Sequence, residues 1–375
     1  MNERSSHVIS ATTFGEPSTP LDVTRAPDKV LVIGATGHVG RIFLEQGLDL
    51  FADTEFRVLL RNIRNAKNMP PRVDCRAGDV CDVQSIRAAC EGFTSDSLIF
   101  DSVTQIALND HDEDGSIAAI NLQGVINVVQ VAQELGCTLH KGHSNGGLPC
   151  PREGAITERT PTSSSEEEAI YARLPYLKAK KEATKHLLRA QADGLRLTVS
   201  YLPSPIGPAS RADAIFNGLV KRYVKTRNYF FPEGVDVAYV DARDAAKAHW
   251  VAFMNEIHDD FILSNNASST EIMDSFERGV GLVLKGRPLK FKTVVGLGRL
   301  LDFLKKWILR KAEFPLSEAT AYLMFANMAY SSAKAQKQLG FKPRPVRDTF
   351  SDHFQDLIHR GVIEVDCAAR PPSIW

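Results

Sequence analysis

From Lys29 onward, short runs of Val, Leu, Ile and Phe alternate with longer stretches whose apolar positions recur at helical spacing. The apolar runs are Val30–Ile33, Phe56–Leu60, a segment around Val73–Arg76, Ser97–Phe100 and Leu195–Leu202, the last closed by Pro203. Residues 137–142 read as a further strand, an unusually polar one because it carries His140 and Lys141. The helical period opens at Val39 and returns over roughly Ile117–Leu135 and Leu174–Ala192. In the second of these, Ile120, Val125, Val128, Val129, Val131 and Ala132 form the inward face. The third has Pro175 in its first turn, where a missing N–H does no harm, and Gly194 just past its end. Strands alternating with helices predict an α/β chain with a doubly wound parallel sheet and helices on both faces. Residues 29–202 would form that main domain. Beyond Leu202 the order is less regular, as expected of a smaller C-terminal substrate-binding region (203–375) with some segments returning to the core. Residues 1–28, polar with scattered Ser, Thr and Pro, read as a disordered tail.

Composition narrows the classes. The chain has 375 residues, 43% apolar and 24% charged, enough to bury a large core and ordinary for a soluble globular protein. Lys+Arg and Asp+Glu balance at 45 each, so no global basic field attracts nucleic acid. The six cysteines (75, 81, 90, 137, 150, 367) make no CxxC pair and have no His at zinc spacing. They read as free thiols of a reducing, cytoplasmic compartment, with no metal site expected. The N-terminus lacks the apolar core of a signal peptide, and no run approaches the roughly 18 uninterrupted apolar residues of a membrane span.

The strand Val30-Leu31-Val32-Ile33 runs straight into Gly34-Ala35-Thr36-Gly37-His38-Val39-Gly40. Glycines in this order suit a dinucleotide. Gly34 permits a tight turn, Gly37 lets the backbone approach a pyrophosphate, and Gly40 lets the next helix pack close to the strand. The N-terminus of that helix then faces the negative charge. This predicts a Rossmann-type nucleotide site. The second strand ends Leu59-Leu60-Arg61-Asn62, with Arg64 and Lys67 close behind. A carboxylate there would select NAD through the ribose 2′-hydroxyl. A guanidinium suits a 2′-phosphate instead and favours NADP(H), with NAD as the alternative. Tyr176 and Lys180, four residues apart, share one helix face. An unperturbed phenol titrates near 10, and a nearby ammonium lowers that value toward the working range of an acid/base. On a solvated helix such a pair is common decoration; behind a nucleotide-binding sheet the acid/base reading is favoured.

These stretches together resemble an extended short-chain dehydrogenase/reductase, in the superfamily of NAD-dependent epimerases and dehydratases, dihydroflavonol reductases and 3β-hydroxysteroid dehydrogenases. The resemblance runs from about Lys29 to Gly361. Gly34, Gly37 and Gly40 match GxxGxxG, Gly78-Asp79 the pair that meets the adenine amino group, Asn121 a structural Asn, and Tyr176 with Lys180 the YxxxK pair. Tyr201–Pro208 is similar to the segment beside the nicotinamide. Val240–His249, Ser332–Ala335 and Leu339–Pro343 are similar to the family's later motifs. The resemblance implies that Tyr176 is the general acid/base and that Lys180 binds the nicotinamide ribose and depresses the Tyr176 pKa. It implies Ser144 as the residue that hydrogen-bonds the reacting oxygen. Thr36, His38, Val39, Arg61, Asp79, Val80 and Pro203 join the three glycines and Lys180 around the cofactor. Two departures stand out. His143-Ser144-Asn145-Gly146-Gly147 replaces the usual Ser/Thr-rich run, so that His143 is a candidate modifier of the site. Asp101-Ser102-Val103 replaces a small-residue turn, and Asp101, which would repel a cofactor phosphate, is expected to point elsewhere.

For the substrate, Leu297–Lys311 offers one clue. Leu297, Leu300, Leu301, Leu304 and Ile308 form a helical stripe with Arg299, Asp302, Lys306 and Arg310 opposite. Such a helix either packs its stripe onto the substrate region or lies on a membrane surface, a peripheral contact through 297–311. Both favour a hydrophobic small molecule of sterol, terpenoid, flavonoid or polyketide type over a nucleotide sugar. The expected function is NADP(H)-dependent interconversion of a hydroxyl and a ketone. An NAD-dependent sugar epimerase/dehydratase is the first alternative and a non-catalytic, NmrA-like dinucleotide sensor the second. Dimers through paired helices are common in the resembled family, which makes a homodimer one expected assembly.

Overall fold

The computed structural model describes residues 23–106, 112, 114–151, 153–161, 166–307 and 316–365. The five apolar runs and the polar strand become β1 (Lys29–Ile33), β2 (Glu55–Leu60), β3 (Asp74–Ala77), β4 (Leu98–Asp101), β5 (Thr138–Ser144) and β6 (Leu197–Leu202). With β10 (Asp260–Ile262) they form a seven-stranded sheet in the order β10-β6-β5-β4-β1-β2-β3. Every pair in it is parallel. The strand order reverses at β1, between β4 and β2, and this opens a crevice at the carboxyl ends where the connecting loops part.

Both faces of the sheet are covered, which is why β1 is apolar at consecutive rather than alternate positions. Val30 and Val32 pack with the helices His38–Leu50 and Ala242–Met254. Leu31 and Ile33 pack with Val83–Ala89, Gly124–Leu135 and Pro175–Ala192. On the first face Phe100, Phe43 and Trp250 stack in a column, with ring centroids 3.8 and 4.0 Å apart. Gly47 makes room for it, since a Cβ there would stand 2.4 Å from the Trp250 ring.

A second region adds β7 (Ser204–Ile206), β9 (Val237–Asp241) and β11 (Asn265–Ala267) as a small sheet, and β8 (Asn228–Pro232) paired with β12 (Lys285–Leu289). Its core gathers Tyr239, Phe276, Phe350 and Phe354. Asp241 at the end of β9 accepts from the Arg243 backbone N–H, and the Arg243 guanidinium bridges Asp241 and Asp352. That ties the C-terminal helix Val346–His359 to the helix that covers the main sheet.

Four expectations change. The polar tail does not extend to residue 28: Thr24 donates to the Met254 carbonyl, and Arg25 pairs with Asp96 and Glu256. Residues 1–22 lie outside the described residues. The helix expected over 117–135 is a short turn, a π-helical segment Ala119–Gln123 and then Gly124–Leu135. Asn121 widens it, its amide donating to the carbonyls of Ile117 and Gln105. The polar strand runs two residues further than 142, and its His140 and Lys141 are buried. The helix Phe291–Trp307 packs through Val294, Val295 and Gly298 rather than through the leucine stripe. Leu297 and Leu300 are exposed, Leu301 and Leu304 only half-buried, and Ile308 to Lys311 lie outside the described residues. The smaller side chains give the closer approach, because a Cβ at Gly298 would stand 2.7 Å from the Ser317 carbonyl oxygen. No described helix is long and apolar enough to cross a membrane.

Candidate active site

The loop after β1 has the shape a pyrophosphate needs. Gly34 has φ +94°, and a Cβ at Gly40 would stand 2.3 Å from the Gly34 carbonyl oxygen. The following helix starts at Gly37 with no side chain capping its first N–H groups, which leaves them to an anion. The residues present therefore fit a dinucleotide. Val39 is buried, while His38 turns its ring to the Pro208 carbonyl at 2.7 Å and joins the loop to the segment after Pro203. Asp79 accepts from the Cys81 N–H, and Val80 is held through its carbonyl by Asn127. Arg61 directly follows β2, is exposed, and has no ion pair among the described residues. Its charge reaches Cys81, beside Asp79.

Tyr176 and Lys180 sit on the Pro175–Ala192 helix, where it passes the end of β5, and both are buried. Ser144, at the tip of β5, lies close enough to the Tyr176 hydroxyl to lower its pKa, so the structure brings these two together, with Lys180 one turn further along the same helix. Burial pushes the phenol up to about 12, against the pull of Ser144. The lowering expected from Lys180 is absent. Its Nζ lies 5.8 Å from the Tyr176 ring centroid and donates instead to Thr104 Oγ1 at 3.0 Å. Burial, reinforced by the charge of Lys141, holds Lys180 well below the usual lysine range.

The atypical His143–Gly147 run has a packing reason. The His143 ring contacts the Lys180 carbonyl and the Thr184 hydroxyl at 3.2 and 3.1 Å, and it pins the helix to β5. Burial keeps that ring neutral, its pKa well below the ordinary value. A Cβ at Gly146 or Gly147 would strike Leu177 or Thr184. Asp101 does point elsewhere: its carboxylate meets Lys141 Nζ at 2.7 Å, and both side chains are buried.

Sequence reasoning missed four residues here. Lys141 cancels Asp101 and also donates to the Val103 carbonyl. Thr104 receives Lys180. Asn145 lies 3.4 Å from Ser144 Oγ and close enough to the Tyr330 hydroxyl to act on its pKa, and Tyr330 is fixed by a bridge to Ile156. The one available signal was Lys141 itself, a charge inside a strand of a sheet covered on both faces.

The model of the NAD dependent epimerase/dehydratase family matches residues 30–262, well over half of the chain. The chain belongs to this family. It is an NAD(P)-dependent enzyme of the extended short-chain dehydrogenase/reductase type, which sets aside the non-catalytic reading. Solved structures agree on the fold. The protein gox2253 superposes with a TM-score of 0.74 at 21% identity, over 90% of this chain and 100% of that one. The terminal R domain from the myxalamid PKS-NRPS biosynthetic pathway gives 0.68 at 19%, over 92% and 94%. The dTDP-glucose 4,6-dehydratase from Bacillus anthracis, solved in complex with NAD, gives 0.65 at 12%, over 88% and 96%. No curated protein sequence matches the chain significantly.

Proposed function

We propose that this epimerase/dehydratase family member is an NADP(H)-dependent oxidoreductase that interconverts a hydroxyl and a ketone on a hydrophobic small molecule. The observation that carries the reading is the convergence of Tyr176, Ser144 and Lys180 at the open end of a nucleotide-binding sheet. When bound, the nicotinamide supplies or accepts the hydride at C4. Ser144 and the Tyr176 hydroxyl would both hydrogen-bond the substrate oxygen, and Tyr176 would pass its proton to that oxygen during reduction. With the phenol held at about 12, the proton is in place at neutral pH. Lys180, held by Thr104, would turn to the nicotinamide ribose.

The unpaired Arg61 supports NADP(H), since it leaves a guanidinium free for a 2′-phosphate. Tyr176→Phe is expected to lower kcat by about 10²–10⁴-fold with NADPH affinity intact; turnover near wild type would sink the assignment. Arg61→Asp is expected to move the ratio of kcat/KM for NADPH over NADH by at least about tenfold toward NADH, through loss of the charge-assisted contact. An unchanged ratio would refute NADP selection without touching the Tyr176 result. The rival sugar epimerase or dehydratase is favoured by neighbours solved with NAD. It predicts cofactor that co-purifies and no net consumption of added NADPH.

A further inference from the structure

The helix Phe291–Trp307 exposes a row of apolar side chains. Leu297, Leu300, Phe303 and Trp307 are 47%, 52%, 55% and 60% exposed. At 100° per residue they fall within about one third of the helix circumference, with half-buried Leu304 inside the same arc. Singly exposed apolar side chains are ordinary, but a row of four ending in a tryptophan marks a contact surface. The side that packs is different, formed by Val294, Val295 and Gly298.

Charge indicates what covers the row. Residues 283–307 contain Lys285, Arg287, Lys290, Lys292, Arg299, Lys305 and Lys306 against one acid, Asp302, in a chain whose total charge is zero. Asp302 is already engaged, accepting from the Glu318 backbone N–H and from Arg173. Lys285, Arg287, Lys290 and Lys292 are exposed, and on the helical wheel Lys292 borders the apolar arc beside Arg299, which pairs with Glu318. A second copy docking here about a two-fold axis would bring these cations against their own kind. An anionic partner meets them favourably. A helix about 25 Å long, with Trp, Phe and Leu on one side and cations at its margin, has the build of an element that lies in the headgroup–acyl boundary.

We propose that the Phe291–Trp307 face seats this enzyme on an anionic membrane surface, its apolar side chains entering the acyl boundary and its lysines meeting lipid phosphates. The inference stands on the helix alone and does not depend on the proposed reaction.

The full chain is sedimented with vesicles of phosphatidylcholine alone and with about 30% phosphatidylserine added. The expected result is binding to the anionic vesicles, weakened by salt, and little binding to the neutral ones. Tryptophan emission is expected to shift to the blue on binding in a Trp375→Phe background, and Trp307→Phe in that background to abolish the shift, because the one tryptophan then left, Trp250, is buried. Leu300→Glu with Phe303→Glu is expected to weaken vesicle binding at least about tenfold, while the thermal unfolding midpoint stays at the wild-type value and shows the fold intact. Absence of binding to anionic vesicles overturns the proposal, and so does equal binding by the double variant. A dimer in light scattering that the double variant loses, without vesicle binding, assigns the face to a second copy and overturns it as well.

Discussion

Lys141 and Asp101 face each other across adjacent strands, 1% and 2% exposed at the side chain, so water screens neither charge. Ion pairs this deep contribute little over an apolar pair of the same volume, but removing one partner leaves the other charged and buried, at about 3–5 kcal/mol. Lys141→Met is therefore expected to lower the unfolding free energy, read by urea titration, by that order, and Lys141→Met with Asp101→Leu to recover most of the loss. Equal losses in the single and double variants would show that the charges are not the issue. The pair also settles why an acid is tolerated next to the glycine loop, where Ser102 lies against Gly34 and Gly40. The Asp101 carboxylate is spent on Lys141 and the Val103 N–H, and so does not turn a free charge toward the glycine loop. The buried phenol of Tyr176 shows the same logic with the opposite result: with no cation paired to it, desolvation sets its pKa.

Elements whose demands are local left a trace in residue type. The turn after β1 needs a left-handed backbone and a close carbonyl, and only glycine supplies both at Gly34 and Gly40. The helix from Pro175 to Ala192 carried its proline, its apolar period and its terminal glycine, and it appears within a residue of where those signals put it. What the residues could not show is pairing over distance. Tyr330 is far in sequence from Asn145, yet the two side chains come close, and nothing at either position announces the other. The Asn121 distortion was hidden for a related reason, since an asparagine within a helical period looks the same whether it faces solvent or takes the carbonyl of Ile117. In Phe291–Trp307 the amphipathic pattern was plain but the covered side was not. Larger side chains advertise burial, while here small ones achieve the closer packing.

Over the whole molecule, four histidines are buried among the described residues: His140, His143, His249 and His353. Burial lowers all four below their ordinary value, to about 3 for His249 and His353. In the unfolded chain each would titrate near 6.5. A lowered folded pKa means that the unfolded chain binds more protons as pH falls, so stability is full above about 6.5 and declines from there toward 3. The urea midpoint is expected to drop steadily from pH 7 to pH 4.5, and His249→Leu to flatten that slope; an identical slope would remove His249 from the account. The sheet's connectivity also has a consequence for how the chain is made. Six strands are complete by Leu202, but the seventh and the Trp250 ring that closes the Phe43–Phe100 column come later, by Ile262. At ribosomal rates of roughly 5–20 residues per second those 60 residues take about 3–12 s. For that interval β6 is an open edge and one aromatic face is bare, the condition under which growing chains pair wrongly. Stalled nascent chains ending near residue 210 are expected to be cleaved by protease faster than chains ending near 275. The interval between β6 and β10 thus sets a window of vulnerability during synthesis that the finished protein no longer shows.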